Sequence, residues 1–86
     1  MNIDQANRLL RECIREVAPE KDLSTVPADA DLAETLRLDS LDFLQVVELL
    51  SERGGIRIDE EDYPRLGTVA SAAEFLVDRS ARSATQ

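Results

Sequence analysis

The spacing of apolar residues along the chain predicts that it is helical. Between residues 3 and 17, apolar side chains recur every three or four positions with charged residues between them, which is typical of an amphipathic helix. Asn2 followed by Gln5 matches the pattern of a capping box, and Pro19 closes the other end of this first helix. The predicted inward stripe consists of Ile3, Ala6, Leu10, Cys13, Ile14 and Val17.

A second and more apolar helix is predicted from Ser40 to about Arg53, where Gly54 and Gly55 supply a stop. Its apolar positions cover most of the helix surface and leave one narrow polar stripe. That stripe consists of Asp42, Gln45, Glu48 and Glu52. A helix that is apolar over most of its surface is buried on several sides, so we expect this one to lie at the centre of the structure.

The connection between these helices, residues 18–38, is long, and its scattered leucines predict that it packs on the core with a helical turn at 32–36. After the second helix, residues 59–63 predict a short acidic turn ended by Pro64. Thr68 is a good N-cap for a last helix. The expected inner stripe of that helix is Val69, Ala72, Ala73 and Leu76.

Together these elements predict one all-α domain over residues 1–80. It is a bundle of four helices with a long loop between helices 1 and 2 and a short helix 3. Residues 81–86 are expected to form a flexible C-terminal tail. A chain of 86 residues has room for one domain of this kind, so a multi-domain enzyme with its own cleft is not expected.

The composition excludes several kinds of chemistry. The chain has no histidine and one cysteine, so by itself it cannot form a Cys/His zinc site, a disulfide or a histidine-based acid or base. Cys13 lies on the inward stripe, which favours a buried, unreactive thiol and a reducing compartment. The N-terminal residues are charged where a signal peptide is apolar, and no run of residues is long enough to span a membrane. We therefore expect a cytoplasmic protein that does not associate with membranes.

The charge is acidic and unevenly placed. The net charge of −8 lies within residues 28–62, which contain eleven acidic and three basic residues. Such a field repels the phosphates of nucleic acids and of anionic lipids, and it attracts proteins that have basic patches. A basic protein partner is the inference from this pattern, while an acidic surface that serves solubility alone is the alternative.

Ser40, at the head of the second helix, is the candidate for chemical modification. If Asp39 caps the helix through the backbone N–H of Asp42, the hydroxyl of Ser40 stays free at a helix end that favours a phosphate ester. Local chemistry alone favours the alternative, in which Ser40 itself is the cap, since serine is among the preferred capping residues. A catalytic serine is disfavoured, because the chain has no histidine to act as its base and Lys21 is its only lysine.

The chain resembles acyl carrier proteins over residues 2–79. The triplet Asp39-Ser40-Leu41 matches the motif at which such carriers receive 4′-phosphopantetheine on the serine. Supporting segments are VPADADLAETLRL (26–38), GGIRIDEED (54–62) and TVASAAEFL (68–76). The resemblance implies an acyl-carrier-type bundle that is not an enzyme. It would carry acyl intermediates as thioesters on a phosphopantetheine arm attached to Ser40, beside Asp39 and Leu41.

The resemblance also implies the partners. These are a phosphopantetheinyl transferase, acyl-loading ligases or transferases, and synthase enzymes with basic docking patches. The chain itself would be a monomer. Their recognition surface would consist of Asp39, Leu41, Asp42, Gln45, Glu48 and Glu52. Gln45 and Glu48 depart from the common pattern of fatty-acid carriers, which favours a specialised carrier. Fatty-acid, polyketide and related specialised pathways all stay open. Phe43, one turn from Ser40, is expected to narrow any acyl cavity.

Two alternatives have specific arguments. A carrier of peptidyl or aminoacyl groups shares the fold and the modified serine, but such carriers usually have glycine before that serine, where this chain has Asp39. The other alternative is an acidic helical interaction module that is never modified.

The acidic run 59–62 lacks the glycine and the alternating ligands of an EF-hand loop, so no metal site is expected.

Overall fold

The computed structural model of the chain describes residues 1–84 and confirms an all-α fold. The α-helices are α1 (Ile3–Val17), α2 (Leu32–Leu36), α3 (Ser40–Gly54) and α4 (Val69–Ala84). Two short 3₁₀ helices lie between them, Leu23–Thr25 and Glu60–Leu66, and we call the second one the 60–66 segment. Over residues 1–84 there is no β-strand, only one isolated antiparallel bridge between Asp31 and Thr68.

Helix α1 begins and ends where the sequence predicts. The side chain of Asn2 accepts a hydrogen bond from the backbone N–H of Gln5 at 2.8 Å, and the Gln5 side chain accepts one from the Asn2 N–H at 2.9 Å. Most of the predicted stripe is buried, including Cys13, whereas Ile3 is 47% exposed. Side chains on a helix point toward its N-terminus, so the first apolar residue of α1 extends past the end of the core.

The long connection between α1 and α3 packs on the core, as its leucines predict. Leu23, Val26 and Leu32 are buried. Two backbone hydrogen bonds attach the connection to the start of α4. The Leu32 N–H donates to the Gly67 carbonyl at 2.7 Å, and the Ala70 N–H donates to the Ala28 carbonyl at 3.0 Å. The connection is therefore held in place immediately before α3 begins.

Helix α3 is the central element, and it packs against α1. It buries Val46, Val47 and Leu50, and it ends where Gly55 adopts a left-handed conformation with φ of 63°. That conformation favours glycine, which explains the predicted stop. The outward face of α3 is not buried in the core, since Leu44 on that face is 42% exposed.

The predicted short third helix is present as the 60–66 segment, but it does not stop at Pro64. It continues to Leu66, and the carbonyl of Pro64 accepts a hydrogen bond from the Gly67 N–H at 3.3 Å. A proline ring fixes φ near −65°, a value that a 3₁₀ helix tolerates, so Pro64 fits inside the segment.

Helix α4 starts after Thr68, whose hydroxyl accepts a hydrogen bond from the Ser71 N–H at 3.1 Å, as an N-cap does. The helix buries Phe75 completely, although the predicted inner stripe did not include that residue. Helical structure continues past residue 80 to Ala84. The flexibility of the tail at 81–86 stays a prediction, and residues 85 and 86 lie outside the described part of the chain.

A polar contact fixes the 60–66 segment to α4. Arg79 donates hydrogen bonds from both terminal nitrogens to the carboxylate of Asp62, at 3.0 and 3.2 Å, and it stacks 4.8 Å above the centre of the Phe75 ring. Asp62 also accepts a hydrogen bond from the Asp59 N–H at 2.9 Å. This N–H and the Arg79 guanidinium lower the pKa of the Asp62 carboxyl below its ordinary value of 3.8.

Candidate functional site

Ser40 is the first residue of α3, and its side chain is exposed. Asp39 caps the helix, since its carboxylate accepts a hydrogen bond from the Asp42 N–H at 2.8 Å. The alternative in which Ser40 is the cap is therefore wrong. The N–H groups of Ser40 and Leu41 precede the first intrahelical bond, which the Phe43 N–H donates to the Asp39 carbonyl at 2.9 Å. The hydroxyl thus stands free at a helix end that favours negative charge.

A tight turn between α2 and α3 precedes Ser40. Arg37 adopts a left-handed conformation with φ of 55° and ends α2, with its N–H donating to the Glu34 carbonyl at 3.2 Å. The Leu38 N–H donates to the Ala33 carbonyl at 2.9 Å, which completes a Schellman motif. Arg37 occupies the position at which glycine is usual, and it is the only basic residue between positions 28 and 52.

Ser40 opens onto an apolar cleft of about 500 Å³ between α3 and the 60–66 segment. Beside Asp39 and Ser40, the cleft is lined mainly by apolar and aromatic side chains. The principal ones are Ala33, Leu38, Phe43, Tyr63 and Leu66. A linear group attached to Ser40 would therefore find an apolar surface directly next to its point of attachment.

The outward face of α3 joins exposed apolar and acidic side chains. Leu41 is 63% exposed and Leu44 is 42% exposed, and the two lie three residues apart on one face of the helix. Among the predicted partner residues, Asp39, Gln45, Glu48 and Glu52 are exposed and Asp42 is partly buried. The structure brings them together along one helix. Exposed apolar residues within an acidic rim suit a basic protein surface.

Cys13 takes no part in this site. The residue is completely buried between the helices, and burial raises the pKa of its thiol to about 11. A thiol with that pKa is almost fully protonated at neutral pH and so is a poor nucleophile. Thiol chemistry at the surface would have to come from a group added to the chain. Residues 1–84 also contain no cluster of side chains that could hold a metal ion.

Three features of the site were not predicted from the sequence. The exposure of Leu44 had no decisive local signal, because its three-residue spacing to Leu41 shows only that the two side chains share a face of α3. Tyr63 lies at the end of the predicted acidic turn, and no local pattern indicates that its ring contacts Phe43 in the cleft. The left-handed conformation of Arg37 had no local signal, because arginine is not a residue that usually adopts it.

Comparison with known proteins agrees with this geometry. The family model for the phosphopantetheine attachment site matches residues 8–76. An acyl carrier protein of Saccharopolyspora erythraea is 35% identical over 60 residues, which cover 70% of this chain and 63% of that protein, a little under two thirds of its length. An acyl carrier protein of Rubrobacter xylanophilus is 31% identical over 68 residues, covering 76% of this chain and 84% of the relative. One from Thermosynechococcus vestitus is 35% identical, covering 76% and 75% respectively.

The chain therefore belongs to the phosphopantetheine-attachment family of acyl carrier proteins. Members of this family are carriers and not enzymes, and they hold their cargo on a covalently attached 4′-phosphopantetheine. They interact in general with transferase and synthase enzymes. The free hydroxyl, the helix end and the adjoining cleft at Ser40 fit such a group. None of the helices within residues 1–84 is long and apolar enough to cross a membrane.

Proposed function

We propose that Ser40 is the attachment residue and that the chain presents acyl groups as thioesters on the arm attached there. The observation that carries this proposal is the division of roles at the start of α3. Asp39 caps the helix, so the exposed hydroxyl of Ser40 is not used in holding the structure together. In the attachment step, the Ser40 oxygen would form a bond to the phosphorus that carries the pantetheine arm and lose its proton to the medium, while the pyrophosphate bond of coenzyme A breaks and adenosine 3′,5′-bisphosphate leaves.

The surroundings of Ser40 support the same assignment. A phosphodiester on Ser40 would lie next to the N–H groups of Ser40 and Leu41 and at the positive end of the α3 dipole. The arm supplies an exposed thiol, which Cys13 does not. Arg37, just before the site, adds the only positive side chain of the acidic segment 28–52.

We further propose that partner enzymes dock on the exposed face of α3 through basic patches of their own. The chain would meet them as a monomer. The face consists of Asp39, Leu41, Asp42, Leu44, Gln45, Glu48 and Glu52. A carrier must visit several enzymes in turn, which calls for contacts that are steered by charge and that dissociate readily. The partners would be a phosphopantetheinyl transferase, acyl-loading ligases or transferases, and synthase enzymes, in a cytoplasmic setting.

The experiment is to incubate the protein with coenzyme A and a broad-specificity phosphopantetheinyl transferase, and then to weigh it. We expect a single phosphopantetheine adduct that is absent from Ser40→Ala. Ser24→Ala is the matched control, because Ser24 is also exposed and should be dispensable for modification. No adduct on the folded protein would support an unmodified interaction module instead. Loading with acyl or aminoacyl groups would then separate an acyl carrier from a peptidyl carrier.

A further inference from the structure

Two aromatic rings meet across the groove that leads away from Ser40. Phe43 lies three residues after Ser40 on α3, so the two side chains share one face of the helix. Tyr63 lies in the 60–66 segment on the other side of the groove. Their ring centroids are 5.5 Å apart and the ring planes are inclined at 82°, an edge-to-face contact. The pair thus joins the two walls of the groove one turn from Ser40.

This ring pair lies at the boundary between two clefts. The first cleft, of about 500 Å³, contains Ser40 and Phe43 in its wall. The second, of about 340 Å³, has a mixed lining, with apolar Leu44, Val47 and Ile58 beside Tyr63, and polar Glu48, Ser51 and Glu52. Tyr63 lines both clefts and is the one residue that they share. A chain that followed the groove from Ser40 to the second cleft would have to separate Tyr63 from Phe43.

We infer that the Phe43–Tyr63 pair determines which acyl groups this carrier can enclose, by closing the way from the Ser40 cleft to the Val47–Ile58 cleft. This inference rests on the proposed attachment at Ser40. The arm occupies the first cleft, and the acyl group at its end stays at the surface. The substrate class that suits this arrangement is short acyl groups, which gain little from leaving water. Long alkyl chains stay exposed on this carrier.

The opening of the pair is opposed by the contacts it makes. Both rings are partly buried, and Phe43 and Tyr63 pack against the hydrophobic core. Tyr63 cannot move away easily, because the preceding residue, Asp62, is held by both terminal nitrogens of Arg79. Separating the rings therefore costs aromatic contact and buried surface, or it requires the 60–66 segment to leave α4.

The test uses the full chain loaded by the transferase from acetyl-coenzyme A or from decanoyl-coenzyme A, so that loading depends on no ligase. Mass spectrometry first verifies one adduct on Ser40. Methyl chemical shifts of Val47 and Ile58 and the melting temperature of each loaded form are then measured. For the unaltered protein we expect the acetyl and decanoyl forms to give the same shifts and the same melting temperature.

Phe43→Ala should connect the two clefts. We expect its decanoyl form to shift Val47 and Ile58 and to melt about 4 °C or more above its own acetyl form, since a buried chain stabilises the folded state. Tyr63→Ala is a second variant with the same expectation, in case Phe43→Ala does not fold. Leu9→Ala is the matched control, because Leu9 is a partly buried apolar residue of α1 that packs against the core, lines neither cleft and lies outside the docking face.

The outcomes separate this inference from the proposed function. Failure to form any adduct on Ser40 would contradict the proposed function. If the adduct forms and decanoylation of the unaltered protein shifts Val47 and Ile58 or raises its melting temperature, the ring pair is no barrier and the inference is overturned. It is overturned as well if folded Phe43→Ala and Tyr63→Ala both respond to chain length no more than Leu9→Ala does.

Discussion

The carboxylate of Asp39 accepts a hydrogen bond from the backbone N–H of Asp42 at 2.8 Å. Because Asp39 is the N-cap of α3, the neighbouring Ser40 is a helical residue with an exposed side chain. The helix cap and the exposed hydroxyl thereby belong to two adjacent residues. The cap can be altered without removing the hydroxyl, and the hydroxyl can be removed without altering the cap.

Removal of the cap should therefore be measurable as a loss of stability. We expect Asp39→Ala to lower the free energy of unfolding by about 1 kcal/mol, because one N–H at the start of α3 loses its partner. Asp39→Asn should keep most of that stability, since asparagine caps helices about as well as aspartate. Urea denaturation measures both, with the exposed Asp29→Ala as control. An equal loss in Asp39→Asn and Asp39→Ala would mean that the charge, and not the cap, is what stabilises.

The left-handed conformation of Arg37 should be a source of strain that a glycine at this position relieves. Glycine adopts φ of 55° without the steric cost that a side chain brings. We expect Arg37→Gly to be more stable than Arg37→Ala by about 1 kcal/mol in urea denaturation. Arg37→Ala is the matched control, because it removes the charge while it keeps a Cβ atom. If alanine and glycine are equally stable there, the conformation carries no strain.

The Asp62–Arg79 contact should make stability depend on acid pH. The pKa of Asp62 is lowered in the folded chain, so the contribution is complete above the ordinary pKa of 3.8 and is lost as the pH falls through the lowered value. We expect the melting temperature of Asp62→Asn to lie below that of the unaltered protein at neutral pH. The difference between the two melting temperatures should become smaller below about pH 4. Thermal melts across this range measure the difference. A difference that is constant from neutral to acid pH would contradict the prediction.

Neutralising the acidic face of α3 should slow encounter with partners. We expect Glu48→Gln and Glu52→Gln each to lower kcat/KM for the phosphopantetheinyl transferase about threefold at low ionic strength, and less at high salt. Glu20→Gln is the matched control, since it makes the same charge change at an exposed position just beyond the end of α1. An equal effect of Glu20→Gln would show that net charge matters and that the face of α3 does not.

The rate at which the protein reacts with a disulfide reagent should show directly whether the prosthetic group is attached. With a pKa of about 11, only about one Cys13 thiol in a thousand is ionised at pH 8, and the residue is buried. We expect the unmodified folded protein to react slowly with a disulfide reagent, whereas the modified protein shows one fast thiol per chain. Cys13→Ala should keep the fast thiol after modification. A fast thiol in the unmodified protein would contradict the buried position of Cys13.

Much of the fold could be predicted because the signals are local. The capping box of Asn2 and Gln5, the stop at Gly55 and the cap at Thr68 each depend on residues within one helical turn, and the structure shows all three. The role of Asp39 was open on local grounds, since serine and aspartate are both good caps. The geometry decided it in favour of Asp39.

Other features depend on residues that are far apart in the chain, so no local pattern could indicate them. Phe43 meets Tyr63 only because the 60–66 segment packs beside α3, and Arg79 reaches Asp62 only because α4 lies against that segment. The exposure of Leu44 likewise depends on where the neighbouring helices end.

Local sequence signals thus predicted the helices, the caps at Asn2 and Thr68, the acidic middle segment and Ser40 as the candidate attachment residue, because propensity, capping and charge are properties of neighbouring residues. The packing of the helices was needed to show which face of the apolar α3 stays in contact with water and which rings meet in the groove beside Ser40. A helix that is apolar on most sides carries no record of which side its neighbours will cover, since burial is a property of the packed chain.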